Sequence, residues 1–251
     1  MFDTIGAPRR AAGVAVCALA ALAGMGGLGC SASSNGNGSM TGASASAPSG
    51  HDANPSGVPY PTANVGLRAR GKTAAGAPNG TPGSVLANYK FLGYPGGDRS
   101  HGLQTVALAD YYDPTGTTYK VIHILAAATW CGPCNDETDA LVSVLASPAT
   151  DLRAQGVVYL QALVEGPTPN LGATKVDLDA WSDAHRTPFT TALDPEASEL
   201  GALFDAASVP FNADLDARSM ELLQAGTGYE DPEAVKVWVD FVAKNPPAYM
   251  P

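Results

Sequence analysis

Two cysteines, Cys131 and Cys134 in the stretch ATWCGPCND, mark the point at which this chain passes from one kind of regular structure to another. Before them runs YKVIHILAAAT (119–129), continuous, apolar and partly β-branched. That is the pattern of a strand covered on both faces. After them, the spacing of apolar residues predicts a helix from about Pro133 to Leu145. A disulfide across two intervening residues closes almost no loop and adds little stability. A small exported domain stapled by bridges would spread its cysteines along the chain. The pair is therefore a redox reagent or part of a metal ligand set, not a staple.

The other two cysteines belong to the N-terminus. Cys17 lies in the apolar run AAGVAVCALAALAGMGGLG, which follows Arg9 and Arg10. A charged n-region followed by such a run is a secretory signal, and glycine dilutes the last third too heavily for a retained membrane span. GGLGC (26–30) resembles the lipobox of bacterial lipoproteins, with Gly27 where that pattern usually carries Leu. The resemblance implies a signal peptide over 1–29 and lipidation of Cys30. The protein is then exported to a bacterial cell envelope, anchored to the membrane by lipid and facing the periplasm.

A tether runs over 30–83: to about Gly57 Ser, Gly, Ala and Asn dominate without apolar periodicity, and from Val58 to Gly83 proline and glycine continue in a stretch that either lies along the domain surface or stays mobile. Taking ~50 flexible residues at roughly 5 to 6 Å times the square root of their number gives a reach of about 40 Å. Within it GLRARGKT (66–73) matches the phosphate-loop pattern letter for letter. That loop works only between a buried strand and a helix, and the flanks YPTANV and AAGAPNGTPG offer neither. Arg68, Arg70 and Lys72 read as solvated charges. A net charge of -10 and the absence of a basic stripe exclude nucleic acid as a partner.

The remainder, 84–251, alternates strand and helix signals as one α/β domain. LQTVALADYY (103–112) reads as a strand, DPTG as a turn, VVYLQALVE (157–165) as a second buried strand and VDLDAWSDAH (176–185) as a helix. PFTTALD (188–194) is a short strand and PEASELGALFD (195–205) a helix. FNADLD and MELLQAG form a hairpin across Ala217 and Arg218. PEAVKVWVDFVAKN (232–245) is an amphipathic closing helix with proline at its start.

A cysteine at a helix N-terminus has its thiolate favoured by free N–H groups and the helix dipole. Cys131 takes that place as the exposed nucleophile. Cys134, one turn on, is shielded and acts second. Gly132 permits a tight turn into the helix, and Pro133 brings a preset φ without needing an N–H. Zinc needs two further ligands, yet the histidines, His51, His101, His123 and His185, show no paired spacing. His123, mid-strand, reads as a packed histidine.

The segment ATWCGPC between a buried strand and a helix resembles the thioredoxin superfamily, and the order of elements over about 103–245 resembles the membrane-tethered thiol–disulfide oxidoreductases of bacterial envelopes. The resemblance implies an α/β thioredoxin-like three-layer fold, a central mixed sheet flanked by helices. It implies no cofactor beyond a redox-active Cys131–Cys134 disulfide, and no metal. In ASVPFN (207–212) it implies a cis Val209–Pro210 bond facing the cysteines, with Val209 offering its backbone to substrate and Trp130 on the rim. Partners are client proteins bearing disulfides or thiols and an external electron donor, with reduction of clients favoured by the Gly-Pro dipeptide. A copper- or client-binding module and a peroxiredoxin-like peroxidase are the alternatives. The chain departs from the pattern at Leu125, where the family carries a buried Asp or Asn, and at Asp139, which replaces a helix-kinking proline. Proton removal from Cys134 then falls to water, Glu165 or the first thiolate. Asn135, Asp136 and Glu137 follow the second cysteine where a base is common, and the two acids read as solvated charges at a helix start.

Overall fold

The computed structural model describes residues 48–61 and 81–247. The expected signal peptide, the lipidation site Cys30 and most of the tether lie outside the described residues. Seven strands, β1 (Lys90–Tyr94), β2 (Gln104–Ala107), β3 (Val121–Ala128), β4 (Val157–Glu165), β5 (Thr190–Leu193), β6 (Phe211–Asp216) and β7 (Glu221–Thr227), form one mixed sheet in the order β2-β1-β5-β4-β3-β6-β7. The α-helices among the described residues are α1 (Gly132–Leu145), α2 (Lys175–His185) and α3 (Lys236–Lys244). β3 pairs with β4 in parallel through the crossover helix α1, and with β6 antiparallel on its other side. A β-α-β unit followed by a β-hairpin and a closing helix, with the cysteines at the carboxyl end of the central strand, is the thioredoxin-like arrangement.

Every residue of β3 and β4 is buried, as strands with a layer on each face require. On one face Val121 and Leu125 meet Val157 and Tyr159, Leu141 and Leu145 of α1, and Val239 and Val242 of α3. α2 covers the same face, where Leu178 and Trp181 pack with Leu163, Tyr94 and both cysteines. The opposite face carries Ile122, Ile124, Leu160, Phe211 and Leu215. Among the described residues no α-helix covers it; 3-10 turns and extended segments do, among them Leu108 and Leu200 and, from the N-terminal segment, Tyr60.

Four expectations need correction. LQTVALADYY is a strand only over Gln104–Ala107; the next four residues form a 3-10 turn in which the Asp110 carboxylate accepts from Ala107 N. PEASELGALFD is not a helix but two 3-10 turns, Pro195–Ala197 and Leu200–Ala202. The buried Asp194 carboxylate takes hydrogen bonds from Ser198 Oγ, Glu199 N and Leu200 N, and Glu196 and Ala197 adopt φ of 58° and 52°. Such a local acceptor competes with helical pairing. The closing helix begins as a 3-10 turn over Pro232–Val235. Finally, residues 48–61, placed in the tether by composition, pack on the domain. The Tyr60 hydroxyl donates to Leu86 O at 3.0 Å, Asn54 Nδ2 to Tyr112 O at 2.9 Å, and the Tyr60 and Tyr112 rings meet edge to face. Strand β1, KFLGY, had no counterpart in the sequence reading.

Candidate active site

β3 ends at Ala128, and Thr129 N donates to Glu165 O at 3.1 Å, tying the end of β3 to the end of β4. Cys131 N donates to Ala128 O at 3.1 Å and turns the chain so that α1 begins at Gly132. Cys131 is the N-cap, with φ -82° and ψ 109°, and its Sγ accepts from Cys134 N at 3.1 Å. A sulfur here does what a Ser or Asp oxygen does at an ordinary N-cap. Cys131 and Cys134 are joined as a disulfide, with Cα atoms 5.2 Å apart.

In this oxidised form Cys131 is not exposed. It is 3% accessible and Cys134 1%. Exposure belongs to their neighbours: Gly132 and Pro133 are open to solvent and Trp130 is 39% accessible. A Cβ at Gly132 meets nothing within 4 Å, and its φ lies outside the left-handed region. Gly132 therefore relieves no clash in the turn, and its missing side chain leaves the surface beside the sulfurs bare. Pro133 stands in the first turn of α1, where a missing N–H costs nothing.

The Val209–Pro210 bond is cis, and Val209 O lies 3.7 Å from Cys131 Sγ. Pro210 O accepts from Gly228 N at 2.7 Å, so this backbone is anchored to the end of β7. Trp130 turns its indole N–H to Glu165 Oε2 at 2.7 Å. That carboxylate, expected among the candidate proton acceptors, is held on the Trp130 side. Trp130, Cys131, Gly132, Pro133, Cys134, Val209 and Pro210 thus converge on one end of β3, and Cys30 lies outside the described residues.

Several contributors escaped the sequence reading. Glu137, expected as a solvated charge, is 2% accessible. Its Oε1 accepts from Asn212 Nδ2 at 2.9 Å and Glu230 N at 2.8 Å. Burial pushes its carboxyl above the usual range, although these hydrogen bonds oppose the shift. Beside it, fully buried Asp214 contacts His123 Nδ1 at 2.9 Å and accepts from Gln224 Nε2 at 2.7 Å. Burial opposes charge on His123, but Asp214, reinforced by Glu230 and Glu137, outweighs it and raises the ring's pKa. Leu125 and Asn212 are register partners on β3 and β6. The Asn212 amide that reaches Glu137 therefore projects beside Leu125. The one sequence signal for this cluster was the alternation in FNADLD, which places Asn212, Asp214 and Asp216 together on the α1 side of β6. Among the described residues no group of three or more His, Cys, Asp or Glu side chains is arranged to hold a metal ion.

No family model matches the sequence, and no curated protein matches it. Solved structures similar to it include three bacterial proteins. A protein provisionally described as the thiol:disulfide interchange protein DsbE from Chlorobium tepidum is 20% identical, with a TM-score of 0.47, covering 65% of this chain and 96% of its own. The exposed lipoprotein thioredoxin Etrx1 of Streptococcus pneumoniae is 18% identical, with a TM-score of 0.44, covering 62% and 99%. The thioredoxin domain of a thiol-disulfide oxidoreductase from Bacteroides vulgatus is 13% identical, with a TM-score of 0.44, covering 63% and 98%. Strand order, crossover and hairpin together give this chain a thioredoxin-like fold, with the Cys131–Cys134 disulfide at the start of its first helix.

Proposed function

We propose that this protein is a thiol–disulfide oxidoreductase of a bacterial cell envelope, acting on client proteins chiefly as a reductant. The observation that carries this reading is the Cys131 sulfur at the N-terminus of α1, accepting the Cys134 N–H. When the disulfide is reduced, the same N–H and the helix dipole stabilise a thiolate there, and the thiolate is the nucleophile of exchange. The Cys131 thiolate attacks one sulfur of a client disulfide. The client S–S bond breaks, its second sulfur leaves as a thiolate and takes a proton, and a mixed disulfide remains. Cys134 then loses its proton and attacks Cys131 Sγ, releasing the client's other thiolate. Two electrons have passed from the pair to the client, and an external dithiol donor must restore them.

Val209 O, 3.7 Å from the reacting sulfur, gives an extended client a backbone acceptor to pair with. Trp130 offers it an exposed apolar face. Export and anchoring rest on Arg9, Arg10, the apolar run and GGLGC. The test is trapping: Cys134→Ser should accumulate envelope proteins in mixed disulfides that vanish on reduction, because resolution is the only route back to a free domain. No trapped species, together with tight binding of one copper or zinc by both sulfurs of the wild type, would leave a metal-binding module instead. A reduction potential well below the glutathione range fixes the direction as reductive, and one near the oxidising end reverses it.

A further inference from the structure

Trp181 and His185 lie one turn apart on α2, with ring centroids 4.3 Å apart. Each begins a chain of hydrogen bonds that ends on the backbone carbonyl of one cysteine. From Trp181 the indole Nε1 donates to Gln161 Oε1 at 2.9 Å, Gln161 Nε2 to Thr138 Oγ1 at 2.7 Å, and Thr138 Oγ1 to Cys134 O at 2.8 Å. An indole only donates, so the polarity of every link that follows is fixed. From His185, Nε2 meets Asn135 Oδ1 at 3.2 Å, and Asn135 Nδ2 donates to Cys131 O at 2.7 Å and Thr129 O at 3.4 Å. Because the Asn135 nitrogen is committed to two carbonyls, its oxygen must face the ring, and Nε2 must carry a hydrogen. Nδ1 faces the Asp139 carboxylate at 2.6 Å. Both ring nitrogens therefore meet acceptors, an arrangement satisfied by a ring that donates from each and carries a positive charge.

A positive charge on this ring would stand where the sequence is short of one. Residues 131–141 contain Asp136, Glu137 and Asp139 and no Lys or Arg. We propose that His185, with Trp181 beside it, is a positioning residue for the redox turn: it fixes the Cys131 carbonyl through Asn135 and supplies from α2 the positive charge that favours the Cys131 thiolate. The proposal rests on the reading of the pair as a disulfide exchanger. It assigns that exchanger a control point on a different helix. A thiolate stabilised in the reduced form makes the pair more oxidising, so the clamp also sets the potential.

The test uses purified protein equilibrated against glutathione, which needs no client. In His185→Gln, which keeps a donor to Asn135 without the charge, the Cys131 thiolate should titrate at higher pH. Alkylation of Cys131 near neutrality should slow about three- to tenfold, in step with the lost thiolate fraction. The redox equilibrium should shift toward the disulfide. His185→Lys should recover part of the thiolate. Should His185→Gln fail to fold, His185→Asn removes the same charge and carries the same expectations. A His185→Gln protein with lowered melting temperature but wild-type thiolate titration and equilibrium overturns the proposal and leaves His185 a packing residue. A wild type that does not exchange with glutathione at all overturns the parent reading as well.

Discussion

Glu137 and Asn212, 75 residues apart in sequence, are joined by a hydrogen bond of 2.9 Å that passes from α1 to β6 directly beneath the redox turn. Glu137 is one turn beyond Cys134, so the helix that carries the cysteines is fastened to the sheet by a buried acid.

That acid predicts a pH-dependent stability. The carboxyl of Glu137 is raised above its ordinary value by burial, so the folded state holds the proton more tightly than the unfolded chain does. Its stabilising effect is complete below the ordinary carboxylate range and is lost as pH climbs through the raised one. Glu137→Gln keeps an oxygen for Asn212 and Glu230 N without the charge. Its melting temperature should match wild type in acid and exceed it by a margin that grows with pH. A gap that stays constant across the range contradicts the assignment.

Reactivity should divide the two thiols. Both cysteines pack in one buried cluster, but after reduction Cys131 sits at the helix start beside bare Gly132 with the Cys134 N–H facing its sulfur, whereas Cys134 lies inside the first turn of α1. A limiting alkylating reagent should label Cys131 several times faster, as peptide mass analysis would show. Equal labelling, or preference for Cys134, reverses the roles.

The N-terminal segment should contribute to stability. Tyr60→Phe removes one hydrogen bond to Leu86 O and should cost about 1 kcal/mol. Tyr60→Ala empties a buried aromatic site and should cost about 3 to 5 kcal/mol. Urea unfolding measures both, and two neutral variants would return residues 48–61 to the tether.

Anchoring is tested at Cys30. Expressed with its own leader in a bacterium, the protein should sediment with membranes, and Cys30→Ser should release it. A wild type wholly soluble in the periplasm removes the anchor and leaves the redox chemistry untouched.

Strands β3 and β4 were legible because full burial demands apolar residues at nearly every position, a signal that needs no knowledge of neighbours. The cysteine pair was legible because its spacing and place between strand and helix are local. Strand β1 was hidden by Gly93, the fourth of its five residues. A Cβ there would lie 2.4 Å from Thr191 O on β5, so the residue that weakens the strand signal is a condition of that close pairing. Glu137 was misread because its partners come from Asn212 and Glu230, far along the chain. Helix propensity misjudged PEASELGALFD because a single buried carboxylate, Asp194, captured the donors it would have used.

The segment 48–61 also has a mechanical meaning. A pull arriving along the N-terminal chain meets first the links of His51 to Asp110 and Asn88 and of Asp52 to Lys90, then those of Asn54 to Tyr112 and of Tyr60 to Leu86, the last on the sheet face opposite α1, α2 and α3. Those few contacts, and the Ala53–Pro59 bridge beside them, would peel before any strand slides. The segment acts as a strain relief: tension spends itself first on the back layer, on the side of the sheet away from the helices that set the cysteine geometry.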